Sequence, residues 1–175
     1  MTKFNLDAAH SSIDFSVKHM MVSKVKGSFT NFTADLEGTA EDLTGAEIRF
    51  NIDVNSINTN HEDRDNHLQS EDFFDAEKYP NIKFVATDIK TTDVGEYDVT
   101  GDITIKDVTK PVTFEVEYGG KGKNPWGQEV VAFSAETKIN RKDFGLVWNQ
   151  ALETGGVLVG EDIKITVELE LNPAE

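Results

Sequence analysis

The chain has 175 residues, enough for one domain with a sizeable core and too few for two full ones. Its 32 acidic against 17 basic residues leave a formal charge of −15, which repels phosphate backbones and anionic headgroups and argues against nucleic-acid binding and electrostatic docking on membranes. With no cysteine, disulfide frameworks, thiol nucleophiles and cysteine metal sites are excluded.

Taken in order, Ile13, Phe15, Val17 and His19 alternate with polar neighbours, the two-residue period of a strand with one face buried. This strand ends on an inward-facing histidine. Val25 to Leu36 reads as the next strand, with the three-residue spacing of Phe29 and Phe32 suggesting a bulge. Ala46, Ile48, Phe50, Ile52 and Val54 form the clearest alternating row. Between Ser56 and Phe84 the alternation stops, and a helical, charged and aromatic insertion is expected at about residues 61–76. Extended structure resumes with Ile82, Phe84 and Ala86, then with Tyr97, Val99, Gly101, Ile103 and Ile105. Val108 to Pro111 reads as a turn into the row Val112, Phe114, Val116 and Tyr118, and Gly119 to Gly127 as a glycine-rich loop. Val131, Phe133, Ala135, Thr137 and Ile139 form the following row, and Ile163, Ile165, Val167, Leu169 and Leu171 the last. Between these two, Asn140 is placed to cap a short helix ending at Gly145.

About eight long strands, nearly all with one wet face and without a dividing linker, predict a single all-β domain over residues 1–175: an eight-stranded antiparallel meander closed into a barrel, with short helical insertions at about 61–76 and 140–145. Eight strands leave an interior either packed with side chains or holding one small ligand. An inner row of Phe15, Phe29, Phe50, Phe84, Phe114 and Phe133 suits both outcomes. No stretch approaches the roughly 18 apolar residues of a membrane span, and the N-terminus lacks a secretory leader's apolar run. The expected location is therefore the cytoplasm, with export only if a leader has been removed.

Four histidines raise the question of metal or acid–base chemistry. His61 and His67 lie six apart, which on a helix turns them about 240° from each other, so they cannot share an ion. Asp63 with His67, and His61 with Asp65, can meet across one turn. There is no HExxH, GxSxG, phosphate loop or dinucleotide fingerprint, so neither a metal nor a catalytic residue is assigned. Arg64 is expected to cap a strand end or carboxylate, or else to meet an anionic headgroup through its planar fork. Phe73 and Phe74 are expected to clamp the insertion onto the sheet. His10, Asp65, His67, Arg141, Phe144 and Trp148 are the other candidates for a mouth or lid, and Trp126 and Trp148 both sit beside loops where they can cover apolar surface.

Six motifs occur in a particular order: His10-Ser-Ser-Ile-Asp-Phe-Ser-Val-Lys-His19; Val25-Lys-Gly-Ser-Phe29 with Phe32; Ser56-Ile-Asn-Thr59 with Arg64-Asp-Asn-His-Leu68; Asp72-Phe-Phe-Asp75 with Tyr79-Pro-Asn-Ile-Lys-Phe84; Gly101-Asp-Ile-Thr-Ile105 with Val108-Thr-Lys-Pro-Val112; and Asn140-Arg-Lys-Asp-Phe-Gly145. Together they resemble the YceI-like family of lipid- and polyisoprenoid-binding proteins over nearly the whole chain. The resemblance implies a lipocalin-like barrel whose apolar bore holds a long isoprenoid or similar amphiphile, usually in a homodimer. Many members look exported, whereas here the domain begins almost at the first residue. The implied function is non-enzymatic lipid binding, storage or transport, with no cofactor beyond the lipid. The expected lining is Phe15, Val17, His19, Phe29, Phe50, Ile52, Phe84, Ile103, Ile105, Phe114, Val116, Phe133, Ile165 and Val167. Two alternatives are an enzyme acting on an isoprenoid-type substrate near His10, His19 or Arg64, and a filled barrel that binds proteins.

Overall fold

A computed structural model describes residues 2–20, 22–149 and 159–174. In chain order the elements are β1 (Thr2–Leu6), β2 (Ser12–His19), β3 (Ser23–Phe29), β4 (Phe32–Thr39), β5 (Asp42–Asp53), β6 (Ile57–Asn58), α1 (Glu62–Gln69), β7 (Asn81–Asp93), β8 (Glu96–Ile105), β9 (Val108–Lys123), β10 (Glu129–Asn140) and β11 (Val159–Pro173). The strands form a closed eight-stranded antiparallel barrel. Three of its staves are each two strands in line, because β1 and β2 both pair with β11, β3 and β4 pair with β2 and β1, and β5 and β6 pair with β4 and β3. Closure comes from β1, which joins β11 at Leu6↔Leu171 and β4 at Phe4↔Leu36.

The alternation read from the sequence sets the wall. On β8, Tyr97, Val99, Ile103 and Ile105 are buried while Glu96 and Asp102 are exposed. Two glycines let aromatic rings lie flat on this wall. A Cβ on Gly27 would come within 2.5 Å of the Phe15 ring, its cross-strand partner, and one on Gly101 would meet the Phe84 ring and the Val85 carbonyl, each at 2.5 Å.

Several local expectations are corrected. β1 is additional, being too short to show a period. The presumed bulge between Phe29 and Phe32 is a break at Thr30–Asn31, held by Thr30 N–H donating to Ser56 C=O and Asp53 N–H donating to Asn31 C=O. Val108–Pro111 is strand, not turn; the turn is Lys106–Asp107, with Lys106 at φ 57°. The glycine-rich loop shrinks because β9 runs on to Lys123. There Gly119 is the extra residue of a bulge against Ala132 and Phe133, a place where a missing side chain is no handicap. The first insertion is helical only over Glu62–Gln69, and turns continue to Lys78. The second is a single 3₁₀ turn, Arg141–Phe144, with Asn140 accepting from Lys142 N–H and Gly145 in the left-handed region at φ 79°.

Both insertions lie at the same end of the barrel as the β2–β3 hairpin, here called the lid end. The β7–β8 and β9–β10 turns lie at the other. Apolar packing is correspondingly divided between a large cluster towards the lid end and a smaller one of Leu36, Ala40, Val131, Phe133 and Leu171 at the far end.

Candidate functional site

The interior is hollow. A cavity of about 520 Å³ runs between the two clusters, bordered by side chains from every stave. Phe15, Phe50, Phe114, Ile163 and Ile165 point inward by register yet are only half-buried. In a packed core such residues lose nearly all accessible surface, so their exposure is to the bore. Every residue of the expected lining, from Phe15 on β2 to Val167 on β11, borders this cavity. So do Phe4, Ala40 and Leu43 at the far end, which sequence reasoning missed because β1 and the β4–β5 turn carry no long alternating run, and Leu36 and Ala46, which lie on predicted strands but were not placed in the lining.

The lid is built around Thr59, which is 3% exposed just beyond β6. Asp65 Oδ1 accepts from Thr59 N–H at 2.8 Å and from its hydroxyl. Arg64 donates from Nε to Thr59 Oγ1 at 2.8 Å and from Nη2 to Thr59 C=O at 2.7 Å. Of the two expected roles for Arg64, capping a strand end is the one realised, although the side chain also borders the cavity. Glu62, Asp63 and Asp65 occupy the first turn of α1, where the helix dipole favours acids, and His61 caps it by accepting from Arg64 N–H at 3.2 Å. An isolated eight-residue helix is marginal in water, so these ties and the aromatic residues that follow hold it.

The expected clamp is present. Phe73 is 6% exposed, and Phe74 meets Phe29 edge-on at 6.2 Å. His67 does not pair with Asp63; its Nε2 lies 2.9 Å from Asp72 Oδ2, and its ring stands edge-on to Phe73 at 5.0 Å and to Trp148 at 4.7 Å. His61 likewise pairs with no carboxylate of α1. Asp65 turned towards Thr59 breaks the expected pair with His61, and Asp72 taking His67 breaks the one with Asp63.

Trp148 is brought to this cluster by Arg141, which is 2% exposed. Its guanidinium donates to the carbonyls of Leu146 at 2.6 Å, Trp148 at 2.8 Å and Gly160 at 2.8 Å, with Val159 at 3.4 Å. Burial pushes its pKa below the ordinary arginine value, partly opposed by Glu161. Arg141 borders the cavity but serves as a strap between residues 146–148 and the start of β11.

Three other expectations about the mouth are corrected. Phe144 is 2% exposed inside the core and does not border the cavity. Asp65 is turned away to Thr59. His10 lies on the outer wall, because the 3₁₀ turn Ala8–His10 carries it outward, with Nδ1 2.9 Å from Asp7 Oδ2. That hydrogen bond raises the His10 pKa and lowers that of Asp7. Glu170 joins these two with ligand atoms within 4.8 Å of one another, a surface cluster that the His10–Asp7 bond already accounts for. Trp126 covers nothing, being 83% exposed at the β9–β10 tip.

Chemically, the bore offers contact and little else. Among the described residues no buried side-chain nitrogen or oxygen lacks a hydrogen-bond partner, so no orphaned polar group aims into it. Its polar neighbours lie at both ends, with Lys18, His19, His61, Asp63, Arg64, His67 and Arg141 at the lid end and Glu37 and Glu47 at the far end.

Comparison with known proteins agrees with this architecture. The YceI-like domain profile matches residues 4–171. A UPF0312 protein of Staphylococcus epidermidis is 46% identical over 173 residues, covering 98% of each chain. The crystal structure of Burkholderia cenocepacia BcnA superposes with a TM-score of 0.83 at 25% identity, over 95% of this chain and 99% of that one. A polyisoprenoid binding domain from Saccharophagus degradans, implicated in plant cell wall breakdown, shares the fold at a TM-score of 0.72 and 13% identity, over 99% and 100%. With a family profile spanning the barrel and a full-length relative at nearly half identity, the chain belongs to the YceI-like family.

Proposed function

We propose that this protein is a non-enzymatic carrier or store for a long-chain isoprenoid or similar amphiphilic lipid, held with its hydrocarbon chain in the barrel and its head at the lid end. The observation that carries this reading is the continuous apolar bore of about 520 Å³. Its size falls within the roughly 300–1,000 Å³ range of small-molecule sites. Burying hydrocarbon at about 0.8 kcal/mol per methylene, about ten methylenes supply some 8 kcal/mol, enough for micromolar affinity without a charged anchor. The name of the Saccharophagus neighbour points to the same ligand class. A non-catalytic role is supported by the engagement of the mouth's polar groups: His61 in a helix cap, His67 with Asp72, Arg64 with Thr59. The reading extends to a homodimer, as the family resemblance implies, and a solution mass of one 19.4 kDa chain refutes that part.

Native mass spectrometry after gentle purification tests the main reading. A co-purified lipid, or uptake of an added prenyl alcohol by delipidated protein, is the result expected. Empty spectra with no uptake of added prenyl lipids defeat it.

A further inference from the structure

The charge of −15 is unevenly distributed. Of the 32 acidic residues none falls between Asp14 and Asp35, whereas Lys18, Lys24 and Lys26 do. The barrel register places these lysines together with two more. Lys138 stands directly opposite Lys164, which neighbours Ser16, which neighbours Lys26, while Lys18 stands directly opposite Lys24. All five are exposed on the outer wall of β10, β11, β2 and β3 at the lid end. Like charges opposite one another destabilise a sheet, so folding alone gives no reason for two such pairs. Among the described residues only Lys164 of the five has an acidic partner, Glu136 at 3.7 Å; nearby Glu161 is held by Lys142 at 2.8 Å, and Asp162 lies opposite Asn140.

The β2–β3 hairpin that carries the patch ends in apolar side chains facing water. Val22 is 89% exposed and Met20 47% exposed. Met20 sits at φ 54°, a backbone region that disfavours a long apolar residue. Across this hairpin end His19 C=O accepts from Val22 N–H at 3.3 Å and from Ser23 Oγ at 3.1 Å. Val147, 60% exposed, lies on the segment that Arg141 and Asn149 tie to Val159, the cross-strand partner of His19. An apolar tip, flanking lysines and the mouth of the bore therefore share one rim.

We propose that this rim docks on anionic lipid bilayers, the lysines meeting headgroups and the side chains of Met20 and Val22 entering the interface. Whole-chain charge does not forbid it: at about 0.15 M salt the Debye length is about 8 Å, so acids on the far part of the barrel are screened, and the contact is set by the rim itself, where the five lysines of β10, β11, β2 and β3 form a face of their own beside the acids of α1, Glu161 and Asp162. The proposal concerns attachment of the protein itself and stands apart from what the bore holds.

The test uses delipidated full-length protein and vesicles of phosphatidylcholine with about a third phosphatidylglycerol, floated at about 0.15 M salt. The protein is expected to float with these vesicles and not with pure phosphatidylcholine, and to be released at about 1 M salt. Lys18→Glu/Lys24→Glu/Lys26→Glu should lower partitioning about a hundredfold, from about fivefold per basic residue, while Lys90→Glu on β7 leaves it unchanged. If the triple variant misfolds by circular dichroism, Val22→Asp, at a site that packs against nothing, must still lower partitioning. Because the chain has no cysteine, a polarity-sensitive fluorophore can be placed on Val22→Cys or on Val94→Cys, 96% exposed at the opposite end. Only the first should shift to the blue with anionic vesicles. No flotation, equal flotation with neutral vesicles, an unaffected Val22→Asp, or equal shifts at both labels overturns the proposal. Retention on polyglutamate without flotation would reassign the surface to an acidic protein and likewise overturn it. Docking without prenyl-lipid uptake sinks the carrier reading alone.

Discussion

Arg141→Met tests whether the buried guanidinium is a strap or a ligand contact. Three short bonds to the carbonyls of Leu146, Trp148 and Gly160 are lost together. A hydrogen bond to a charged group contributes about 1.5–3 kcal/mol, so the gross loss is about 4–9 kcal/mol. Relief from burying the charge offsets part of it, leaving a net destabilisation of about 3–5 kcal/mol. For a chain of this size that lowers the melting temperature by about 6–20 °C. Arg141→Lys should recover little, since an ammonium cannot span carbonyls on two segments. Urea unfolding followed by tryptophan fluorescence reads the stability, and titration with a fluorescent prenyl analogue well below the transition reads binding. Lost binding with stability within about 1 kcal/mol of the parent would show that Arg141 acts on the ligand, refuting the strap argument.

Other predictions bear on the wall, the lid and the outer surface. Gly101→Ala places a methyl against the Val85 carbonyl, which cannot swing aside, and should cost about 1–3 kcal/mol in urea unfolding; Gly27→Ala should cost less if Phe15 can rotate into the bore, and then reduce lipid uptake. Phe73→Ala removes ring contacts to His67 and Trp148, worth about 0.5–1.5 kcal/mol each, and should speed ligand release about tenfold or more in stopped-flow displacement; unchanged release means the lid does not gate the bore. His10 should titrate above 6.5 by NMR and move down in Asp7→Asn. Because the folded pKa of His10 is raised and that of Asp7 lowered, stabilisation by the pair is present between about pH 4 and 6.5 and fades as pH rises through the His10 pKa or falls through that of Asp7. A His10→Gln variant whose stability differs from the parent equally at pH 9 and pH 6 would contradict this.

Much of the architecture was legible in the order of residues because a strand with one wet face writes its orientation at every second position. The rows through Phe15, Phe50, Ile103, Phe133 and Ile165 required no knowledge of neighbours, and all of them border the bore. The clamp by Phe73 and Phe74 was also visible, since paired aromatics in a charged insertion need a surface to cover. The pairings of His61, Asp63, Asp65 and His67 were not. Helical spacing says which side chains can meet, but Thr59, outside the helix, took Asp65, and Asp72, beyond its end, took His67. Phe144 and His10 were misplaced for a similar reason: 3₁₀ turns have no long period, and one turns its aromatic into the core while the other carries its histidine out.

Periodicity alone thus settled which face of each strand looks inward, because that depends only on the pleat. Whether the inward faces touch depends on closure between β1 and β11, residues at opposite ends of the chain, and on how the circumference compares with the side chains inside it. The same holds for charge: composition yields a net of −15, but only the barrel's register gathers Lys18, Lys24, Lys26, Lys138 and Lys164 beside an apolar hairpin tip. Sums over a chain are local bookkeeping, whereas a hollow bore and a basic rim are properties of strands that meet only in three dimensions.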